Sequence, residues 1–600
     1  MSRRPDPPPP PPVEGWLARL RRWALVALLV GGFALWITVG LAIYEPVAPL
    51  LAALAAAAVA VVPRVRMAWA AAVVRVRPAP ASMGPVMAFV AAVAYLAVVT
   101  FARGRDLRPA VMDEYGYLIS GRIIATGRLW MPPHPVGAAF ESSQILTDGL
   151  YASAYFPGTG LMLAPALRAG APAWVVPLLA AGGVAALLYA IMRALFGGAA
   201  GAVAVVLAVA TPMFRTLAFS ILSQMPVLLL GLGLTACWMR WHRVPAARWA
   251  VAMGACAGWA AITRPVDALC FALPVGAAVL WDLRRAGWHR GGVTVLSGVL
   301  GLVPFAAIQL TFNRGVTGSP WTAPFTLNAH RDYPGTTFGF HDYDPAVRPA
   351  TTLPQKIALY DAWVVPMIRQ HRPDTVLEVW ANYRLPVTLL NVLPHAAIVV
   401  LLPAGLLAAR TWPRAVAVAV LPAFVGLYAF YAFFLFHYPV TALPAVIALV
   451  LGATRAVRDA VPVRGPSAGA AATAFVLVLA GGVVPPFASP PGDDRMLATP
   501  LLDAADAAIA SIDEPAVVLF RYAPGGGSEH EEPVYNADVA WPDDARVVRA
   551  HDRGPEGNRA LLAHYAAARP DRSVYLFDRV TLRLSRLGTA SELARRPPPR

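Results

Sequence analysis

The sequence predicts an all-α polytopic membrane protein that ends in a small α/β domain. Three observations lead there. Of 600 residues, 58% are hydrophobic and 14% charged, whereas a soluble domain carries about 25% charged residues. Apolar runs of about 20 residues recur between residues 23 and 486. Beyond 486 the character changes to short apolar runs between polar turns.

The elements follow in chain order. Residues 1–22 hold the proline run Pro7–Pro12 and then Arg19, Arg21 and Arg22. This reads as a disordered cytoplasmic tail with no cleavable signal. Apolar spans are expected near 23–43, 47–62, 86–101, 173–192, 198–212, 218–238, 249–263, 266–281, 293–312, 387–409, 413–435, 440–453 and 468–486. That is about thirteen helices, several of which must extend into their flanks to reach membrane length. Residues 23–486 form the membrane domain.

Net charge is +16, carried almost wholly by arginine, with Lys356 the exception. The charge suggests cytoplasmic loops, and no nucleic-acid partner is expected. With the N-terminus inside, the short arginine clusters fall on one side: Arg64 to Arg77, Arg193, Arg240 to Arg248, Arg284 to Arg290, Arg410 with Arg414, and Arg455 to Arg464. The long segments 102–172, 313–386 and 487–600 then share the opposite, extracytoplasmic face. Chemistry is expected on that face. Cys237, Cys256 and Cys270 have neither metal-site nor disulfide-framework spacing.

The tail 487–600 is a separate module. Ala516–Tyr522, Arg546–Ala550 and Ser573–Asp578 read as strands, and Asn558–Ala568 as a helix. The Gly525–Gly527 run lacks the spacing and lysine of a phosphate loop.

Chemistry concentrates in a few places. Asp113 and Glu114 open an amphipathic stretch through Ile124, expected to lie at the membrane surface. The pair is either a helix start, with Asp113 as N-cap, or a carboxylate that activates a hydroxyl or binds a divalent cation. Tyr151-Ala-Ser-Ala-Tyr155-Phe-Pro157-Gly158 punctuates the chain before the next span. Arg264, in Thr263-Arg264-Pro265-Val-Asp267, sits between two spans with almost no loop, outside on this parity. It either snorkels or holds a lipid phosphate. Segment 313–386 mixes aromatics with His330, Asp332, His341 and Asp342, a composition that suits sugar binding. A metal site there has no supporting spacing. His437 lies at the outer end of a span as a polar cap or a site-lining residue.

This ordered set resembles the GT-C superfamily of membrane glycosyltransferases, which includes protein O-mannosyltransferases, aminoarabinose lipid A transferases and arabinosyltransferases. The resemblance covers roughly residues 86–450. It rests on Asp113-Glu114-Tyr-Gly-Tyr117, Tyr155-Phe-Pro157-Gly158, the stretch from Pro212 to Pro226, Thr263-Arg264-Pro265, and Asn313-Arg-Gly-Val-Thr-Gly-Ser-Pro320. It implies Asp113 as base or cation anchor (Mg or Mn) with Glu114 beside it. It also implies Arg264 as a phosphate contact, and Tyr117, Tyr155, His330, His341 and His437 stand beside these as substrate-binding candidates. The implied donor is a sugar on a polyprenyl phosphate, transferred with inversion to a glycan, lipid or protein outside a bacterial plasma membrane. One departure stands out. Ala154 and Tyr155 occupy the place where the family often has a basic residue before the Pro-Gly turn. The alternatives are a flippase for lipid-linked precursors, which would place charges mid-span, and a non-catalytic scaffold.

Overall fold

The computed structural model describes residues 16–38, 47–75, 83–284, 287–460, 465–483, 497, 499–523 and 531–595. The proline run, Arg77, Arg285, Arg464 and Gly525–Gly527 lie outside them.

The protein is mostly helical. Among the described residues, six helices are long and apolar enough to cross a membrane: Ala18–Ile37, Gly84–Ala102, Val175–Phe196, Pro265–Leu283, Gly291–Thr317 and Tyr438–Ala460. The number rises to eight if each of two bent pairs forms one span. Each break falls at a proline, which removes a backbone donor and clashes with the preceding turn. Pro63 lies at the 102° bend after Val61, and Pro394 lies within the 103° break between Val392 and Ala396. Other expected spans are shorter helices such as Ala200–Ala210 and Trp412–Tyr428.

The acidic pair sits in the helix Met112–Ala125. Its N-cap is Val111, in extended conformation and without a side-chain cap bond, so Asp113 is a first-turn residue and not the cap. This helix was expected to be amphipathic and to lie at the lipid surface, but it is covered by protein on more than one side, with no residue from Met112 to Ala125 exposed. Tyr115, Ile119 and Ile123 are buried with Leu502, Tyr535 and Ala537 of the tail. Gly121 faces Leu163 and Leu167 of the helix Pro157–Arg168. The helix is therefore clamped between protein layers.

A short antiparallel pair, β1 (Ile145–Leu146) and β2 (Ala152–Ser153), braces the loop that carries Tyr155. The tail builds a four-stranded sheet from β3 (Ala516–Arg521), β4 (Val547–His551), β5 (Ser573–Asp578) and β6 (Arg583–Thr589), in the order β4-β3-β5-β6. β3 is parallel to β4 and β5, and β6 is antiparallel to β5. Central β3 is an unbroken apolar run because both its faces are covered. Val517 and Leu519 pack with Leu561 and Tyr565 of the helix Gly554–Ala568. Val518 and Phe520 pack with Leu501 and Ala505 of the helix Pro500–Ala510.

Candidate functional site

Around Asp113 the sequence brings four distant segments together. The first contact joins two of them: the Tyr155 hydroxyl interacts with the Asp113 carboxylate and favours its ionised form. Gly116, one turn along, leaves room for this ring, since a Cβ there would lie 2.9 Å from it. Tyr117 stacks on Tyr155 with centroids 4.3 Å apart, and its hydroxyl donates to Ser223 Oγ at 2.9 Å. The same Oγ accepts from Arg264 Nη1 at 3.3 Å. A continuous chain of side chains thus runs from Asp113 to Arg264, and Arg264's charge acts on Asp113.

The turn before Tyr155's helix is docked onto the turn that carries Arg264. Gly158 N–H donates to Ile262 O at 2.7 Å, and Trp259 Nε1 donates to Gly158 O at 2.9 Å. A Cβ at Gly158 would lie 2.2 Å from Thr263 Oγ1 and 2.6 Å from Ile262 O. The Pro157–Gly158 punctuation therefore serves a close backbone approach that only glycine permits.

Arg264 is held from three sides. Nε donates to Asp267 Oδ2 at 2.7 Å, Nη2 to the Tyr428 hydroxyl at 3.1 Å, and the guanidinium lies 4.4 Å from the Tyr438 ring centroid. Asp267 is 1% exposed and also accepts from Tyr428 at 2.7 Å and from Thr441. Arg264 does not snorkel to water. It is a fixed donor fork whose charge is matched inside the protein.

The carboxylates divide sharply. Glu114 is 4% exposed, and its oxygens accept from Ala110 N–H and Ile221 N–H, each at 2.8 Å. It staples the start of its helix to the 218–222 turn through both oxygens, a structural role beside the catalytic share expected of it. Glu114→Gln would set an amide NH2 against one of those N–H groups. It is expected to destabilise the protein by about 1–3 kcal/mol, read from the midpoint of thermal unfolding. Asp113 is only partly covered. Burial raises its pKa above the ordinary carboxylate value, opposed by the Tyr155 hydrogen bond and the Arg264 charge.

Six tyrosines feel the Asp113 charge: Tyr117, Tyr155, Tyr333, Tyr431, Tyr438 and Tyr535. Four of them were not singled out in the sequence, where they are scattered among 18 tyrosines. Tyr535 comes from the tail, stacks on Tyr115 at 4.6 Å and donates to Ser143 O at 3.0 Å. The tail therefore packs against the helix that carries Asp113. His437, 3% exposed with neither ring nitrogen hydrogen-bonded, lies within reach of Arg264's charge. Buried Gln224, beside Ser223, leaves its Oε1 unpaired. Such buried polar atoms are open positions for ligand hydrogen bonds.

The histidines of 313–386 stand apart. His330 is exposed, and His341 bonds Thr337 Oγ1 at 2.8 Å. Asp332 belongs to an ion cluster, with Lys356 Nζ at 2.6 Å and Arg331 Nε at 2.8 Å. None of these contacts joins them to Asp113.

Among the described residues, the group of His, Cys, Asp or Glu ligand atoms close enough to share one ion is His134, Asp543 and His564. Asp113 is not in it. In that trio His134 Nδ1 accepts from Val136 N–H at 3.1 Å, so Nε2 carries the proton it gives to Asp543 at 3.2 Å. A metal on Nε2 would force the opposite tautomer and break the Val136 bond. Burial pushes the Asp543 carboxyl up, but hydrogen bonds from His134, Tyr565 and His564 outweigh it and hold the pKa well below the usual range. The trio reads as a knot tying loop 126–156 to the tail.

No family model matches the chain, and no curated protein is similar to it. The fold is similar to crystal structures of ArnT from Cupriavidus metallidurans. One is in the apo state (TM-score 0.42, 16% identity, 83% of this chain and 93% of that one). The other is bound to undecaprenyl phosphate (TM-score 0.41, 15% identity, 82% and 93%).

Proposed function

We propose that the protein is an integral membrane glycosyltransferase. It moves a sugar from a polyprenyl phosphate to an acceptor hydroxyl of an envelope glycan, lipid or protein. The observation that carries this is the division of the carboxylates. Asp267 and Glu114 are held by hydrogen bonds from the fold, while Asp113 is only partly covered, with a raised pKa, among phenols and linked through them to a fixed arginine.

In this reading Asp113 takes the proton of the acceptor hydroxyl as that oxygen bonds to the anomeric carbon. The bond from that carbon to the phosphate oxygen breaks on the opposite side, so the configuration inverts. Arg264 meets the phosphate as a positioned donor in the place of the family's basic residue before the Pro-Gly turn. Tyr117 and Tyr155 line the sugar, and His437 with Gln224 offers unpaired polar atoms to hydroxyls or phosphate. Where a divalent cation is used, Asp113 is the carboxylate available to it, with phosphate oxygens and water completing the shell. His330 and His341 belong to an outer acceptor approach. In this reading Asp113 and Arg264 face the extracytoplasmic side of a bacterial plasma membrane, the N-terminus lies inside, and about thirteen apolar segments alternate between the two faces.

The test is reconstitution into vesicles with labelled polyprenyl-phosphate sugars. Transfer is expected to release polyprenyl phosphate in step with product. Movement of intact sugar-lipid across the bilayer without release would establish the flippase instead. Tyr155→Phe supplies a finer check. Tyr155 donates to the ionised form of Asp113, so its loss raises that pKa further. The acidic limb of the transfer rate is expected to move to higher pH, while the rate above the limb falls less.

A further inference from the structure

A cavity bordered by unbalanced positive charge lies at the far end of the helix Pro265–Leu283. The helix Pro265–Leu283 fixes the distance: Arg264 precedes its first residue and Asp282 lies in its last turn. At 1.5 Å per residue these ends are about 27 Å apart, close to the thickness of a bilayer's hydrocarbon core. Asp282 Oδ2 lies 2.7 Å from His242 Nδ1. His242 borders a cavity of about 210 Å³ whose wall also includes Arg243, Arg414, Leu195, Met239 and Pro413.

The charges there are unbalanced. Asp282 is engaged by His242, and Asp459 by Arg455 and Arg458. Arg455 and Arg458 also act on Arg414, with Asp459 the acid in reach of it. Among the described residues neither Arg243 nor Arg414 has a carboxylate partner. Arg414 spends Nε on Leu195 O at 2.9 Å and Nη1 on Ala408 O at 3.3 Å, which fixes its guanidinium at the wall. The surroundings are those of a membrane interface. Trp281 and Trp412 are partly exposed with ring centroids 5.9 Å apart, and Arg284 lies 4.7 Å over Trp281.

We infer that this cavity holds the phosphate headgroup of an anionic phospholipid from the arginine-rich leaflet. Arg243 and Arg414 contact the phosphate, and Leu195, Met239 and Pro413 contact the glycerol and first acyl carbons. This places a lipid site one membrane thickness from Asp113, independent of the transfer reaction.

Full-length protein in phosphatidylcholine nanodiscs, titrated with phosphatidylglycerol and read by native mass spectrometry, tests it. Wild type is expected to retain one phosphatidylglycerol through detergent release, and Arg243→Gln to bind it about tenfold more weakly. Arg248→Gln is the control, because Arg248 stacks on Trp249 at the same end but outside the cavity wall. Arg243 is the primary target because Arg414 also caps two carbonyls, so its loss could disturb folding. Unchanged retention in Arg243→Gln, or equal loss in Arg248→Gln, overturns the site. Displacement by inorganic phosphate alone, at the concentration where the lipid binds, overturns the lipid and assigns a soluble phosphate.

Discussion

Asp113→Asn is expected to lower sugar transfer by about 100- to 10,000-fold, the usual worth of a positioned general base. The protein should remain folded. Asparagine has the same shape, and its carbonyl can still accept from Tyr155, so the packing around Gly116 and Tyr117 is kept. The unfolding midpoint and the affinity for polyprenyl phosphate should stay close to wild type, and the loss should fall on turnover. The wild-type pH profile sharpens the test. Burial raises the Asp113 pKa, so the base form is lost as pH falls through a value above the ordinary carboxylate pKa of about 3.9. The acidic limb should sit on the high side of that value and vanish in the residual activity of Asp113→Asn. Full transfer by the variant would sink the base assignment.

Much of this arrangement was legible in the sequence because it rests on local signals. Apolar runs marked the long apolar helices, and the short apolar runs of the tail marked three of its four strands. β6 was missed because Arg583, Ser585 and Arg586 give it the polar look of an exposed edge, which is how edge strands avoid mispairing. Asp113, Tyr155 and Arg264 were found through motif order, yet their connection was not visible. The docking of Gly158 on Ile262 and the stacking of Tyr117 on Tyr155 are long-range facts that no spacing encodes. The same limit explains Glu114. Next to Asp113 it looked like a partner in chemistry, but a carboxylate's role depends on what its oxygens meet, and Glu114 meets two backbone amides. Tyr535 lies more than 400 residues from Asp113 in sequence, and nothing in its surroundings marks it as packing on the Asp113 helix.

Asp267→Ala is expected to be the most destabilising single change at the site, costing about 3–5 kcal/mol, because it strands a buried cation. Asp267 is 1% exposed and receives hydrogen bonds from Arg264, Tyr428 and Thr441 at once. Without it the guanidinium keeps Ser223 and the Tyr428 hydroxyl, neither of which carries a balancing charge. Most of the penalty therefore belongs to the orphaned charge and not to the lost contacts. A double substitution separates the two. Asp267→Asn with Arg264→Gln removes both charges and leaves groups that can still hydrogen-bond. It should recover a large part of the stability lost in Asp267→Asn alone, seen as a partial return of the unfolding midpoint. Transfer should not return with it, since the phosphate donor is gone. If the double variant unfolds as readily as the single one, Asp267 acts through packing and Tyr428. Arg264 would then be a structural cation, and a different arginine would have to meet the phosphate.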